Sequence, residues 1–262
     1  MSPGAGQTAL VNGCSIYYEV HGSGEPLVLL HGFQASGAVW GPVIDAFKTG
    51  YRLIVPDLRG HGRSNNPANV FTHRQSALDI YALLDRLGIE RFKAMGISSG
   101  GMILLHMAAG RPERVEAMVL IGATFKYHVQ ARVIQRKLTV ESMSEEDWRK
   151  AREFHKLGDD QIRSLRAQFH AFKDVDDDVN FTPESLARIT ARTFVVHGDR
   201  DPFFPVSIPV EMYTSLPRAW LWIIPNGGHI PVVEHRAEFN RVAAAFLRGD
   251  WEKTRPVKED TP

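Results

Sequence analysis

The stretch from Lys93 to His106 constrains this chain more than any other. It opens on residues suited to the end of a buried strand, turns through Gly96-Ile97-Ser98-Ser99-Gly100 and continues as an apolar helix. A turn this tight brings strand and helix backbones into contact. A Cβ at either flank would clash, so the two glycines are a steric requirement. The serine between them is held in a strained conformation that pushes its hydroxyl out at the strand's C-terminal end, in the pattern G-x-S-x-G. Ser98 has glycine two residues before and two after it, whereas Ser99 has Ile97 and Gly101 and fits less well. The same five residues also suit an ordinary turn of a Rossmann-like sheet, so the rest of the chain has to decide.

On the N-terminal side, Thr8–Val11 and Cys14–Val20 flank Asn12-Gly13, a two-residue hairpin signal. Pro26–Leu30 and Tyr51–Val55 are continuous apolar runs, which is how strands covered on both faces read. A short helix is expected from about Ala38 to Phe47. A longer one is expected from His73 to Leu87, where Ala77, Ile80, Tyr81, Leu84 and Leu87 recur at helical spacing before Gly88. Ala117–Ile121 reads as the next strand. This alternation predicts an α/β fold with a mostly parallel sheet covered on both sides.

The alternation then breaks. From Phe125 to Arg188 the chain is charged and helix-rich, with helices expected over Glu145–Leu157, Asp159–Lys173 and Pro183–Ile189, and a solvated acidic turn at Asp174–Asp178. Strands resume at Thr193–Val196 and Trp220–Ile224, and a last amphipathic helix runs from about Glu234 to Leu247. The middle therefore reads as a helical insertion over the sheet.

Composition narrows the class. At 262 residues and a net charge of +1, the chain suits one large domain and carries no basic stretch of the kind that binds nucleic acid. Its single cysteine, Cys14, allows no intrachain disulfide. The N-terminus lacks the basic head and apolar run of a secretory signal, and no stretch has the length of a membrane span, so a cytoplasmic protein is expected. The histidines form no i, i+4 pair and Asp174–Asp178 lacks the features of a calcium loop, so neither metal nor other cofactor is expected.

A serine hydroxyl needs a base, an orienting acid and donors for the oxyanion before it can attack a carbonyl. The chain order Ser…Asp/Glu…His directs the search. The strand end at Val195–Gly198 is followed by two aspartates, Asp199 and Asp201. The final strand is followed by Gly227-Gly228-His229, and of eleven histidines only His229 stands directly after it. Oxyanion donors are expected from the amides of Ser99, at a helix start, and of Phe33, in the loop after His31-Gly32.

Together these motifs resemble the α/β-hydrolase fold superfamily, specifically its small esterases, enol-lactonases and C–C hydrolases with a helical cap. The resemblance runs from Asn12-Gly13 to about Leu247. It rests on His31-Gly32-Phe33, Asp57-x-Arg59-Gly60-x-Gly62-x-Ser64, Gly96-x-Ser98-x-Gly100, Gly198-x-x-Asp201-x-x-x-Pro205 and Gly228-His229. It implies an eight-stranded sheet with helices on both faces. The core then comprises 1–124 and 190–249 and the helical cap insertion 125–189, while the tail 250–262, charged and carrying Pro256 and Pro262, reads as disordered on its own composition. It implies Asp201, not Asp199, as the acid, giving Ser98, Asp201 and His229 as catalytic residues. The Asp57–Ser64 loop then braces neighbouring loops, with structural roles for Arg59 and His61. Ile97 stands where many members have histidine, a departure that bears on substrate fit more than on competence.

A cap would roof the site with aromatic residues. Phe125, Trp148, Phe154, Phe169 and Phe172 are the candidates, beside Trp40, Phe203 and Ile230 from the loops. The expected activity is hydrolysis of small apolar or aromatic carboxylic esters, with water as the second substrate and without nucleic acid or membrane as partner. The same groups would serve a lactonase or a C–C bond hydrolase. From another class, a weakly catalytic small-molecule receptor on the same scaffold remains an alternative. Monomer and homodimer are both compatible with the sequence.

Overall fold

The computed structural model describes residues 6–251. Strands β1 (Gln7–Val11) and β2 (Cys14–His21) form the expected hairpin, with Asn12 and Gly13 both at positive φ. Then follow β3 (Glu25–Leu30), α1 (Gly41–Phe47), β4 (Tyr51–Pro56), α2 (His73–Arg86), β5 (Phe92–Ile97), α3 (Ser99–Gly110) and β6 (Val115–Ile121). Four helices come next: α4 (Val129–Lys137), α5 (Glu145–Phe154), α6 (Asp159–Ala171) and α7 (Pro183–Leu186). The chain closes with β7 (Arg192–Gly198), α8 (Ser207–Ser215), β8 (Ala219–Ile224) and α9 (Arg236–Arg248).

The eight strands form one sheet in the order β1-β2-β4-β3-β5-β6-β7-β8. It is antiparallel at β1–β2 and β2–β4 and parallel elsewhere. Side chains alternate across it, as the pleat requires. Val28 and Leu30 join the core on the α2 and α3 side, while Leu27 and Leu29 join the core under α1 and α9. Burial on both faces explains why the strands read as unbroken apolar runs. Helix α3 is buried nearly all round, wedged between the sheet and α2, which explains its uniformly apolar sequence.

Some expectations change. The helix expected from Ala38 begins as a 3-10 turn over Gly37–Trp40 and becomes α-helical only at Gly41. The helix expected to reach Lys173 leaves the α-conformation at Ala171 and tightens to a 3-10 turn over Phe172–Asp174. Of the tail expected from 250 to 262, Asp250 and Trp251 lie within the described residues, and both make contacts. Asp250 accepts from Arg248 at 2.8 Å, and the Trp251 ring lies 5.0 Å from that of Phe194 and 5.6 Å from that of Phe246. The remainder of that expected tail, 252–262, lies outside the described residues. Among the described residues no helix is long and apolar enough to cross a membrane.

Candidate active site

Ser98 sits between β5 and α3 with φ +49° and ψ −116°, a conformation strained for a residue with a side chain. Its N–H donates to Ile121 O at 2.8 Å, which ties the turn to β6. A Cβ on Gly96 would lie 2.5 Å from Gly100 C, and one on Gly100 would lie 2.2 Å from Leu30 O. Both contacts are with backbone, which cannot yield as a flexible side chain would, so only glycine fits at either flank.

His229, after β8, brings its Nε2 to 3.0 Å from Ser98 Oγ, and its Nδ1 lies 2.7 Å from Asp201 Oδ2. A carboxylate oxygen can only accept, so the Nδ1 hydrogen points at Asp201 and Nε2 is left to accept from the serine. Asp201 has a buried side chain, and its Oδ1 accepts from the amides of Phe203 and Phe204 at 2.7 and 3.2 Å. Asp199 is directed elsewhere, with a partly exposed side chain 3.9 Å from Arg200. The two loops meet because Gly198 carries no side chain: a Cβ there would come within 2.2 Å of the carbonyls of Gly227 and Gly228.

The turn at Gly32-Phe33 lies beside the nucleophile, since a Cβ on Gly32 would be 3.5 Å from Ser98 Cβ. Neither Ser98 nor any other side chain caps the start of α3. The Ser99 amide is thus one of the donors a helix start leaves open, and the helix dipole adds partial positive charge there. Among the described residues no acceptor takes the Phe33 N–H. What this arrangement can do is general: a hydroxyl with a paired base stands at a helix start, beside the Gly32-Phe33 turn.

These groups face a cavity of about 480 Å3, within the range usual for small-molecule sites. Trp40, Phe169, Phe172, Phe203 and Ile230 line it, as expected of them. Phe125, Trp148 and Phe154 do not. Phe125 is fully buried in the core on the α2–α3 side, because the chain is still leaving the sheet at that point. Trp148 lies on the α5–α6 surface between the guanidinium groups of Arg152 and Arg163, 5.4 and 4.9 Å from its ring centre. Phe154 faces a separate hollow beside Met143 and Ile162. Tyr127 and the ring of Phe33 also line the cavity, though neither stands out in the sequence. The Phe33 ring packs edge-on to Phe71 and Phe172 at 4.9 Å, and the Tyr127 ring stacks on Phe172 at 5.8 Å. Burial drives the Tyr127 phenol well above its ordinary pKa.

The sequence profile of the alpha/beta hydrolase fold family matches residues 25–183, more than half of the chain. The chain belongs to the alpha/beta hydrolase fold family. Among curated relatives, the 2-hydroxymuconate semialdehyde hydrolase of Pseudomonas sp. (strain CF600) is 27% identical over 268 residues, covering 94% of this chain and 95% of its own. A putative carbamate hydrolase, RutD, of Rhizobium rhizogenes (strain K84 / ATCC BAA-868) is 29% identical over 266 residues, covering 89% and 98%. Among solved structures, a meta-cleavage product hydrolase from Pseudomonas fluorescens IP01 superposes with a TM-score of 0.78 at 24% identity, covering 94% of this chain and 98% of that one. Fold and relatives support an enzyme that takes a small-molecule substrate and water.

In this alpha/beta hydrolase the Asp57–Ser64 loop is fully engaged in support. Arg59 forks onto Asp79 at 2.6 and 2.9 Å, both side chains buried. Asp57 accepts from the amides of Gly37 and Arg63 at 2.7 and 2.8 Å, although burial raises its pKa. His31 Nε2 accepts from Leu58 N–H at 2.9 Å, and burial pushes the His31 imidazole down to about 4. His61 is buried between the rings of Phe33, Phe71 and His155. The loop also holds the helical segment, through Gly62 N–H to His155 Nδ1 at 3.1 Å and Lys156 N–H to Gly62 O at 3.0 Å. Among the described residues no three His, Cys, Asp or Glu side chains gather to hold a metal ion.

The turn Asp174–Asp178, expected to be solvated, is buried at its last residue. Asp178 is buried, and its Oδ2 takes the His73 Nδ1 hydrogen at 2.6 Å and the His73 amide at 2.7 Å. Its aspartate neighbours in sequence gave no sign of this, because the partner lies more than a hundred positions away.

Proposed function

We propose that the protein is a serine hydrolase of small apolar or aromatic carboxylic esters. Ser98 is the nucleophile, His229 the base and then the acid, and Asp201 the group that fixes the imidazole. The amides of Phe33 and Ser99 hold the oxyanion. The observation that carries this reading is the chain of contacts Ser98 Oγ–His229 Nε2 at 3.0 Å and His229 Nδ1–Asp201 Oδ2 at 2.7 Å, opening on a cavity walled by aromatic rings.

As Ser98 Oγ bonds to the ester carbonyl carbon, its proton passes to His229 Nε2, and the carbonyl π pair moves to oxygen, facing the two amides. The imidazolium is stabilised by Asp201. It gives its proton to the departing alkoxide oxygen as the C–O bond breaks, leaving an acyl group on Ser98. Water then repeats the sequence, losing a proton to Nε2, and collapse returns that proton to Ser98 with release of the acid. Helices α4–α6 and their connections act as a cap, contributing Gln135, Leu138 and Phe169 to the cavity wall.

An uncharged substrate is favoured because Arg236 is the only formal cation among the lining residues and it is exposed to solvent. The full-length similarity to 2-hydroxymuconate semialdehyde hydrolase supports a second reading, C–C bond cleavage by the same groups. A panel of p-nitrophenyl esters of rising acyl length, aryl esters, lactones and a dienoate ketone tests both, with Ser98→Ala as control. Turnover of esters that vanishes in Ser98→Ala is expected. Ester turnover that survives in the variant would refute the assignment, and turnover of the dienoate alone would favour the second reading.

A further inference from the structure

Ser98 is not the only serine in this site that heads a Ser–His–Asp chain. Its neighbour Ser99 presents Oγ to His73 Nε2 at 3.0 Å, and His73 Nδ1 meets Asp178 Oδ2 at 2.6 Å. The pair of distances almost repeats that of the Ser98 chain. All three residues are buried, His73 completely. By the argument used for His229, the carboxylate takes the Nδ1 hydrogen, and Nε2 accepts from the Ser99 hydroxyl.

We infer that Asp178 and His73 are positioning residues for the reaction, holding Ser99 by its side chain so that its backbone amide stays aimed at the oxyanion. The inference rests on the reading of Ser98 as nucleophile and of Ser99 as amide donor.

Three features support it. First, the Ser99 amide belongs to the peptide that leaves Ser98, whose backbone is strained. Strained conformations persist only where the surroundings over-determine them. An Oγ anchor on residue 99 is one such constraint, and α3, which begins at that residue, supplies another. Second, donors stabilise a developing charge only when they are held at the right place beforehand, so a clamp on the donor residue acts on rate. Third, the anchor itself is rigid. Asp178 Oδ1 also accepts from Arg74 N–H at 3.1 Å, so the carboxylate sits on the first amides of α2, and its own carbonyl accepts from His106 Nε2 at 2.7 Å. Burial alone would raise the Asp178 pKa, but the His73 imidazole and the two amides outweigh it and hold the carboxyl down to about 2.

Asp178 enters from the segment returning from α6 toward the sheet, next to the antiparallel bridge between Lys126 and Asn180. The relay therefore joins the base of the cap to the elbow. A cap seated out of register would withdraw the carboxylate, release His73 and loosen Ser99. The Ser99 hydroxyl, engaged by His73, serves as a tether and not as a second nucleophile.

The test is a double-mutant cycle on the full chain with a p-nitrophenyl ester, using His73→Ala, Ser99→Ala and the double variant. A tether working through Oγ predicts that each single variant loses about ten- to a hundred-fold in kcat with KM within about two-fold, because the donor acts in the transition state. The double variant should lose no more than the worse single. Losses that multiply, or a rise in KM at unchanged kcat, would overturn the relay. If His73→Ala does not fold, His73→Gln carries the test. Its amide can still meet Ser99 Oγ, and most of the kcat should return; a fully inactive folded His73→Gln would overturn the relay. Covalent capture by a fluorophosphonate separates the two levels. Ser98 labelled at equal rates with and without His73 counts against the relay alone. An unlabelled Ser98 in the unmodified protein would refute the reading of the site and the relay with it.

Discussion

Asp199 and Asp201 stand two positions apart on one loop, and what separates them is their surroundings. Asp201 is shielded from water, is fed two amides on Oδ1 and offers Oδ2 to His229. Asp199 lies toward solvent beside Arg200. Asp201→Asn should therefore reverse the imidazole tautomer and lower kcat by about 10⁴-fold, while Asp199→Asn stays within about two-fold of the unmodified protein. Steady-state kinetics on one activated ester would decide, and comparable losses in the two variants would refute the assignment. At this scale the sequence was legible wherever a residue's position follows from its distance to a strand end, as for Ser98 and His229, which the fold brings to 3.0 Å of each other, and for the Gly32-Phe33 turn beside them. Asp178 was illegible for a physical reason. Its charge is neutralised by a helix start and an imidazole that only the tertiary fold brings near, so its own neighbourhood in the chain reads as solvated.

Among elements, strands and long helices announced themselves through burial. Helices α4 and α8 did not. Helix α4 (VQARVIQRK) buries only Ala131 and Gln135, so it lacks an apolar stripe wide enough to read. Helix α8 carries Pro209 in its first turn, where a missing N–H costs nothing but the residue still looks like a breaker. The loop between β4 and α2 owes its shape to ionic and hydrogen-bonded contacts, among them the buried Arg59–Asp79 fork. Arg59→Ala leaves Asp79 as a buried carboxylate stripped of its guanidinium. The expected cost is about 3–5 kcal/mol of folding stability, measured by guanidinium denaturation. A loss below about 1 kcal/mol would mean that the loop is held mainly by its backbone contacts.

For the molecule as a whole, the buried imidazoles set the response to acid. Burial, the largest influence in each case, pushes His31, His106 and His155 down to about 4 and His61 well below its ordinary value, with neighbouring imidazoles adding to the effect at His61. In the unfolded chain such groups titrate near 6.5. Between about pH 6.5 and 4 the unfolded state therefore binds more protons than the folded one, and stability falls with pH by up to about 1.4 kcal/mol per unit for each histidine. Asp178, held down to about 2, extends the loss below pH 4, while the raised Asp57 works in the opposite sense. Denaturation at pH 7 and pH 5 should differ by several kcal/mol, and equal stabilities would show that these imidazoles are not held neutral by the fold. Where the helical segment leaves and rejoins the sheet, Phe181 N–H donates to Phe125 O at 2.9 Å, so its two ends stand side by side. A segment with adjoining ends can be exchanged in evolution at little entropic cost while the sheet beneath stays unchanged. Asp178 limits that freedom here: any successor segment has to bring a carboxylate on its way back, or leave His73 without its partner.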